Sequence, residues 1–561
     1  MLKELGFRFG PTPDSKPLSF TPGVMTVLVG PSNVGKSRAL FELAIRLRGI
    51  VSTPDERDNR IINFASAGFR SPPTETDRIL DESEKGFTEK RYPKEALELY
   101  TGGHGPSEVT YVFFRYQDPS RGDPVGTLLC LSLSGAERLS LVEPQNSESL
   151  REQPRTPLSA VFRNRGFRQK LREITYEAFG KYLVVDPIEM KTFRLRLSRI
   201  PPVDDEDVEL GERGRIFHEQ AEPIERASDG VRAYSGLWLS LLSCPWRVAM
   251  IDEPELFLHP PLVRRLGLRL AALAAERGAS LVTATHSSDF LMGCVESGVG
   301  LDIVRLTYKE GIPSAWHLGE AELRPLMYDP LLRSANVLRA VFHEGVVIGE
   351  ADSDRVFYQE INNRLLAGRG ERDGAEDTLF LNAQNKQAVY RMMAPLRRIG
   401  IPAAAIVDID VLKMKRHEWL MLLQAAQVPP GTHEGLSTLK ARVLKAFEAV
   451  EDGGGADMKD GGVRLLDRQD RESCDDLLAN LAGYGIFVVR GGQLESWLSH
   501  LNVKESGSKH GSQWLIEVFE KMGSDPSSQD YIKADQGDVW DFMRSIAQWI
   551  RNPRRKGVGV E

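Results

Sequence analysis

Two sets of residues in this 561-residue chain have the types and spacing for phosphate chemistry. The first is Gly30-Pro31-Ser32-Asn33-Val34-Gly35-Lys36-Ser37, which satisfies the pattern G-x-x-x-x-G-K-[ST]. Two glycines let successive backbone N–H groups turn inward as an anion nest, and a following helix would add its partial positive charge. Lys36 then has the reach for the β- and γ-phosphates of ATP, Ser37 carries a hydroxyl for Mg²⁺, and Arg38 continues the same turn. The partners of such a loop are acids at the end of a neighbouring strand. Arg247-Val-Ala-Met-Ile-Asp252-Glu253-Pro254 provides them. Asp252 is suited to the Mg²⁺ water shell and Glu253 to polarising the attacking water, because phosphoryl transfer needs positioned groups and charge stabilisation. One strand further on, Ala279-Ser-Leu-Val-Thr-Ala-Thr-His286 brings a histidine to the position that contacts a γ-phosphate.

The second set lies downstream. Glu344-Gly-Val-Val-Ile-Gly-Glu350 delivers a carboxylate from a short apolar strand, with Asp354 one helical turn later. Ala403-Ala-Ala-Ile-Val-Asp408-Ile-Asp410 delivers two more, which alternation along a strand end puts on one side. Glu495 follows the strand-like Gly485-Ile-Phe-Val-Val. Hard oxygen ligands grouped this way suit Mg²⁺ or Mn²⁺. The competing reading is a set of acids that merely solvate strand ends.

The elements that must position these groups are legible to different degrees. Val24–Val29 reads as a strand and Arg38–Arg48 as an amphipathic helix, the strand–loop–helix context a phosphate loop requires. Leu2–Phe9 reads as a β-hairpin whose Phe7 or Phe9 either packs in a sheet or flanks an adenine. Between about 51 and 220 the text is less regular: Val109–Tyr116 and Thr127–Leu133 read as strands, Phe167–Phe179 as a helix, and Gln117 or Gln145 as a γ-phosphate sensor. Ala227-Ser228-Asp229-Gly230-Val231 precedes a helix expected over Arg232–Ser243. Ser228 and Gly230 there either bind an anion or serve as an ordinary N-cap. Pro325 and Pro330 mark a junction near Glu320–Asn336, Glu451-Asp-Gly-Gly-Gly-Ala reads as a flexible loop, and the tail Arg551-Asn-Pro-Arg-Arg-Lys556 as a solvated terminus or a phosphate contact.

The whole chain bounds the rest. Its length exceeds what one core supports. With 41% hydrophobic and 27% charged residues, large buried cores are available. A formal charge of −7 excludes a uniformly basic coat but not a local basic groove. No apolar run reaches the ~20 residues of a membrane span, so no membrane partner is expected. The four cysteines, Cys130, Cys244, Cys294 and Cys474, form no C-x-x-C, which fits a reducing cytoplasm and supports neither disulfides nor zinc.

The order phosphate loop, Ser-x-Gly helix, Ile-Asp252-Glu253-Pro254 and strand-His286 resembles the ATP-binding-cassette ATPases. The text Asp252-Glu-Pro-Glu-Leu-Phe-Leu-His259-Pro resembles their RecF-like and OLD (overcoming lysogenisation defect) branch. Strand-Glu350 followed by strand-Asp408-x-Asp410 resembles the TOPRIM fold of topoisomerases, primases and OLD-family nucleases, and Gly491-Gly-Gln-Leu-Glu495 their third acidic motif. The resemblance implies an α/β chain: an ABC-type P-loop ATPase domain at about 1–325, with an insertion at about 51–220, and a TOPRIM nuclease domain at about 338–561. It implies ATP and Mg²⁺ as cofactors, with Mn²⁺ an alternative in the nuclease site, and a homodimer or higher homo-oligomer in which Ser228 and Gly230 complete the partner's ATP site. It further implies a nuclease lysine, for which Lys509 and Lys533 are candidates. Two features depart from the pattern: Ser228-Asp-Gly-Val replaces Ser-Gly-Gly-Gln, and Ala351 follows Glu350 where glycine is usual. Read through the OLD and Gabija-type anti-phage families, the chain is an ATP-regulated nuclease cutting DNA, with a separate defence-system partner protein. Read through the PARIS-type families it is a tRNA-cleaving toxin, and with a dead acidic cluster it is an ATP-switched DNA-binding scaffold.

Overall fold

Continuous apolar runs, rather than alternating ones, mark strands covered on both faces, as parallel strands are. The structure is a computed structural model that describes residues 2–48, 61–67, 96–98, 111–113, 129–149, 151, 154, 156–244, 246–309, 311–319, 323, 329–330, 337–368, 373–503 and 512–558. It divides into two compact units, one of residues 1–10, 16–29 and 35–304, the other of 11–15, 30–34 and 305–561.

In the first unit, β1 (Leu2–Phe7) pairs antiparallel with Ser19–Phe20 and with Ile62–Ala67. The expected hairpin therefore forms within a small sheet, where Phe7 is fully buried: it packs and does not face a ligand. Four runs, β2 (Met25–Val29), β3 (Cys130–Leu133), β4 (Val248–Asp252) and β5 (Ser280–Ala284), pair in parallel in the order β3-β4-β5-β2. All five residues of β2 and of β5 are buried, as the apolar runs require. Helix α1 (Lys36–Arg48) follows β2. A short α2 (Gly135–Ser140) follows β3, opened by a capping box between Ser134 and Glu137. The helix expected from Phe167 begins at Arg165, because Asn164 caps it by accepting from the Phe167 N–H. Helix α3 (Asp229–Ser243) starts three residues earlier than the apolar periodicity suggests. Gln117 lies outside the described residues.

The second unit repeats the logic in a smaller sheet. β6 (Gly345–Gly349), β7 (Thr378–Asn382), β8 (Ala403–Val407) and β9 (Ile486–Val488) are all parallel, in the order β7-β6-β8-β9. Helices α4 (Asp352–Ala367) and α5 (Lys386–Arg398) connect β6 to β7 and β7 to β8. The chain leaves β6 toward one side and returns on the other as β8, so the β6/β8 boundary is a topological switch point, where a crevice opens at the carboxyl ends of the strands. A terminal helix, α6 (Asp538–Arg551), closes this core with Trp540, Met543, Ile546 and Trp549. The basic tail after it is not a free phosphate contact at Arg555. Its guanidinium donates to the Trp549 and Ile550 carbonyls, while Arg551 donates to Gly374. Arg555 thus caps the end of α6, as carbonyls without intrahelical donors invite, and Arg551 ties the helix to the loop at Gly374.

All four cysteines are buried. No helix among the described residues is long and apolar enough to cross a membrane.

Candidate functional site

The phosphate loop leaves β2 with φ of +137° at Gly30, +62° at Asn33 and +93° at Gly35. Only glycine fits at Gly30, where an added Cβ would lie 2.1 Å from the Leu306 carbonyl oxygen. Asparagine is one of the few other residues that enters the left-handed region at little cost. Lys36 and Ser37 open α1, with Lys36 almost fully buried, and the Ser37 hydroxyl donates to Asp252 Oδ1 at 3.0 Å. Parallel pairing of β4, β5 and β2 puts Asp252 and His286 at the sheet edge from which the loop departs. Burial raises the Asp252 carboxyl above its ordinary range, and the Ser37 hydroxyl pulls it back. Glu253 turns out of the strand at φ +46°, and its Oε1 lies 3.9 Å from His286 Nε2.

The structure bears on three further sequence expectations here. The Arg38 guanidinium pairs with the buried Glu42 at 3.1 Å and lies over the Phe41 ring, so its charge is spent within α1. Gln145 donates to the Leu141 carbonyl and accepts from the Leu158 N–H, which commits both ends of its amide to packing. Ser228 sits at the N-cap position of α3, yet its exposed side chain makes no capping bond. Gly230 beside it packs so closely that a Cβ would meet the Phe257 carbonyl at 2.5 Å.

At the β6/β8 switch point the acids of the second unit converge. Carboxylate oxygens of Glu350, Asp408 and Asp410 lie within 4.8 Å of one another. Glu350 Oε1 accepts the Asp408 N–H at 3.0 Å, which ties one strand end to the next. Strand alternation is not what aligns Asp408 and Asp410: β8 stops at Val407, and Ile409–Lys413 is a 3₁₀ turn opened by Asp408. Asp354 and Glu495 stand outside this three-residue group, with Asp354 near enough to feel both Asp408 and Glu495. Asp354 Oδ2 accepts the Ala351 N–H at 2.9 Å, and its carboxyl is pushed up to about 6, first by burial, with Asp408 and Glu495 adding to it. Ala351 has φ −128°, an extended conformation open to any residue, so the absence of glycine there costs the backbone nothing.

Two lysines that the sequence did not single out complete the cluster. Lys459 Nζ lies 2.9 Å from Asp408 Oδ2 and 3.4 Å from Asp410 Oδ2, and Lys386, the first residue of α5, pairs with Asp410. Lys509 lies outside the described residues, and Lys533 is exposed on the loop before α6. What brings Lys459 in is the Gly491-Gly492 pair. Gly492 has φ +117°, and a Cβ on it would fall 1.9 Å from the Lys459 carbonyl oxygen. Ile409 N–H donates to Gly492 O on its other side. The glycine pair was visible in the sequence as a place of close backbone approach, but not what would approach it.

The donor set fits a hard divalent cation. Asp410 Oδ1 is buried with no hydrogen-bond partner, and the Glu350 carboxyl is pushed up to about 8, first by burial and then by Asp408. A buried oxygen without a donor and a carboxyl driven toward its neutral form are both relieved by a cation. This yields a pH test. Glu350 holds its proton more tightly in the folded chain than in the unfolded one, so between about 4.5 and about 8 folding takes up protons and stability falls as pH rises. In metal-free protein Tm is expected to decline across that window, and Glu350→Gln to flatten the decline. Mg²⁺ or Mn²⁺ is expected to raise Tm most at the alkaline end. A Tm slope indifferent to Glu350→Gln would show that the carboxyl is not held this way.

Comparison with known proteins bears on both sites. Residues 86–293 match the family described as "AAA domain, putative AbiEii toxin, Type IV TA system". Over 267 residues the chain is 20% identical to the Old nuclease of Escherichia phage P2, covering 44% of this chain and 42% of that protein. The chain thus spans less than half the length of that curated relative. Among solved structures it is similar to the SMC head domain of Thermotoga maritima (14% identity, 56% of this chain and 98% of that one, TM-score 0.27). It is likewise similar to cbiO1 of the Clostridium perfringens ABC transporter complex cbiONQ (12% identity, 60% and 95%, TM-score 0.28). The chain is a mixed α/β protein with a P-loop ATPase domain, and nucleotide binding follows from that domain.

Proposed function

We propose that the chain is an ATP-regulated, divalent-metal-dependent nuclease, with an ABC-type ATPase domain at about 1–325 and a TOPRIM nuclease domain at about 338–561, acting as a homodimer or larger homo-oligomer in anti-phage defence, with DNA as the favoured substrate. One observation carries the reading: Glu350, Asp408 and Asp410 meet at a sheet switch point, with Lys459 between the two aspartates, in a chain whose Ser37 and Asp252 meet beside a phosphate loop. Similarity to the Old nuclease of Escherichia phage P2, a relative named for nuclease activity, supports it.

Within the ATPase site, Lys36 meets the phosphate charge, Ser37 and Asp252 would hold Mg²⁺, and Glu253 with His286 orients the water. Ser228, whose hydroxyl makes no capping bond, and Gly230 complete the ATP site of a second protomer. In the acidic site, Glu350, Asp408 and Asp410 would hold Mg²⁺ or Mn²⁺, with Asp354 and Glu495 as the outer acids. A divalent ion bound there supplies charge neutralisation for the phosphodiester and a more acidic water. Lys459, together with Lys386, keeps positive charge at that edge.

The test is incubation with plasmid DNA and with total tRNA, each with Mg²⁺ or Mn²⁺, with and without ATP. Cutting should require metal, change with nucleotide, and favour the plasmid; preferential loss of tRNA would convert the reading to an RNA-cleaving toxin. No cutting of either substrate under any of these conditions would leave the acidic cluster structural. Lys459→Gln should slow cutting roughly 10²-fold, the scale for losing one charge-stabilising donor, while keeping the Tm rise on adding metal. Full activity in that variant would withdraw its assignment.

A further inference from the structure

Beneath the Asp252–Glu253–Pro254 turn lies a group that neither proposed chemistry uses. Arg138, on α2, is 1% exposed. Its Nη2 donates to the carbonyls of Asp252 at 3.1 Å and Glu253 at 2.8 Å, Nη1 to that of Pro254 at 3.2 Å, and Nε to that of Ser134 at 3.3 Å. Three consecutive carbonyls of the turn thus end on one guanidinium. Burying a cation without a carboxylate partner is unfavourable, and its return here is the planar fork, which no other side chain can offer to three carbonyls at once. The arginine is itself fixed from behind. Gly236 of α3 approaches so closely that a Cβ would lie 2.0 Å from the Arg138 carbonyl oxygen.

What the fork holds is a strained stretch of backbone. Glu253 occupies the left-handed region at φ +46°, which a residue with a Cβ adopts only when its surroundings impose it. Its N–H donates to the Ala284 carbonyl, and its own carbonyl accepts both from the Leu256 N–H at 3.0 Å and from Arg138, so the guanidinium braces a turn that is otherwise closed by a single local bond. Opposite, Glu255 Oε1 accepts from the Thr285 hydroxyl and the His286 N–H, which anchors the histidine end of the same edge. We infer that Arg138 is a positioning residue for ATP hydrolysis, setting the direction of the Glu253 carboxylate by gripping the strained turn that carries it. The inference rests on the reading of Glu253 as the water-orienting group.

The experiment compares Arg138→Gln, Arg138→Lys, Glu253→Gln and the double variant Arg138→Gln/Glu253→Gln in the full chain. ATP turnover, fluorescent-ATP affinity and Tm are measured for each. Misplacing a catalytic group by about 1 Å can cost up to ~10²-fold, so Arg138→Gln should lower kcat about 10–100-fold with ATP affinity within about threefold of wild type. Lysine, a single-point donor, should not restore kcat, and it supplies the folded comparison if glutamine lowers Tm too far. The double variant should be no slower than Glu253→Gln alone, because a carboxylate that is absent cannot be misdirected. Multiplicative losses, a parallel collapse of ATP affinity, or wild-type turnover in folded Arg138→Lys would each overturn the inference. If Glu253→Gln itself keeps turnover, it is the parent reading of Glu253 that fails.

Discussion

Asp408→Asn is expected to abolish nucleic-acid cleavage while leaving basal ATP hydrolysis in place. Asp408 is the residue on which the acidic site turns: its backbone N–H binds Glu350, its carboxylate pairs with Lys459, and it opens the turn that presents Asp410. Asparagine keeps the shape and the backbone bond but removes one negative charge from the group that would hold the metal. Metal-assisted stabilisation is worth several kcal/mol, and each 1.36 kcal/mol is a factor of ten. Cleavage should therefore fall on the order of 10³-fold, and the Tm rise on adding Mn²⁺ should shrink with it. ATP hydrolysis provides the internal control, since Ser37, Asp252 and Glu253 belong to the other unit. Cleavage surviving at more than a tenth of the wild-type rate would mean that these acids are not the reacting centre.

Glu253→Gln is expected to keep ATP binding and lose its turnover. The side chain follows Asp252 at the edge of the parallel sheet and stands 3.9 Å from His286, placed for the water rather than for the phosphates that Lys36 meets. Loss of a positioned base or water-orienting group costs about 10²–10⁴-fold. Lys36→Ala should instead lose the nucleotide itself, so a fluorescent-ATP titration separates the two. The same pair tests the regulation. If ATP biases the nuclease, effector couplings of ~1–3 kcal/mol should make cutting respond roughly 5–150-fold to nucleotide in the wild type. That response should vanish in Lys36→Ala and persist in Glu253→Gln. A wild-type cutting rate equal with no nucleotide, ATP, ADP and a non-hydrolysable analogue would leave two independent enzymes on one chain.

Sequence alone determined the parts whose chemistry is local. A phosphate loop is one continuous segment, so Gly30 to Ser37 could be read as a unit, and the strands that end in Asp252, His286, Glu350 and Asp408 announce themselves as apolar runs because parallel strands are buried on both faces. Which strand lies beside which is set by long-range pairing, and only the tertiary structure decided that β6 and β8 are neighbours and that their carboxylates meet. The same holds for the cations. Lys459, Lys386 and Arg138 sit in surroundings with no motif of their own, and each reaches its site across a gap that the surrounding glycines and turns make short. Gln145 and Arg38 failed for the complementary reason: their residue types suited the phosphates, but nearer partners took their hydrogen bonds first. Residue type and spacing thus record which groups can do chemistry. Whether a given polar group is left to do it depends on what packs around it, since a buried donor or acceptor takes whichever partner the fold brings within reach.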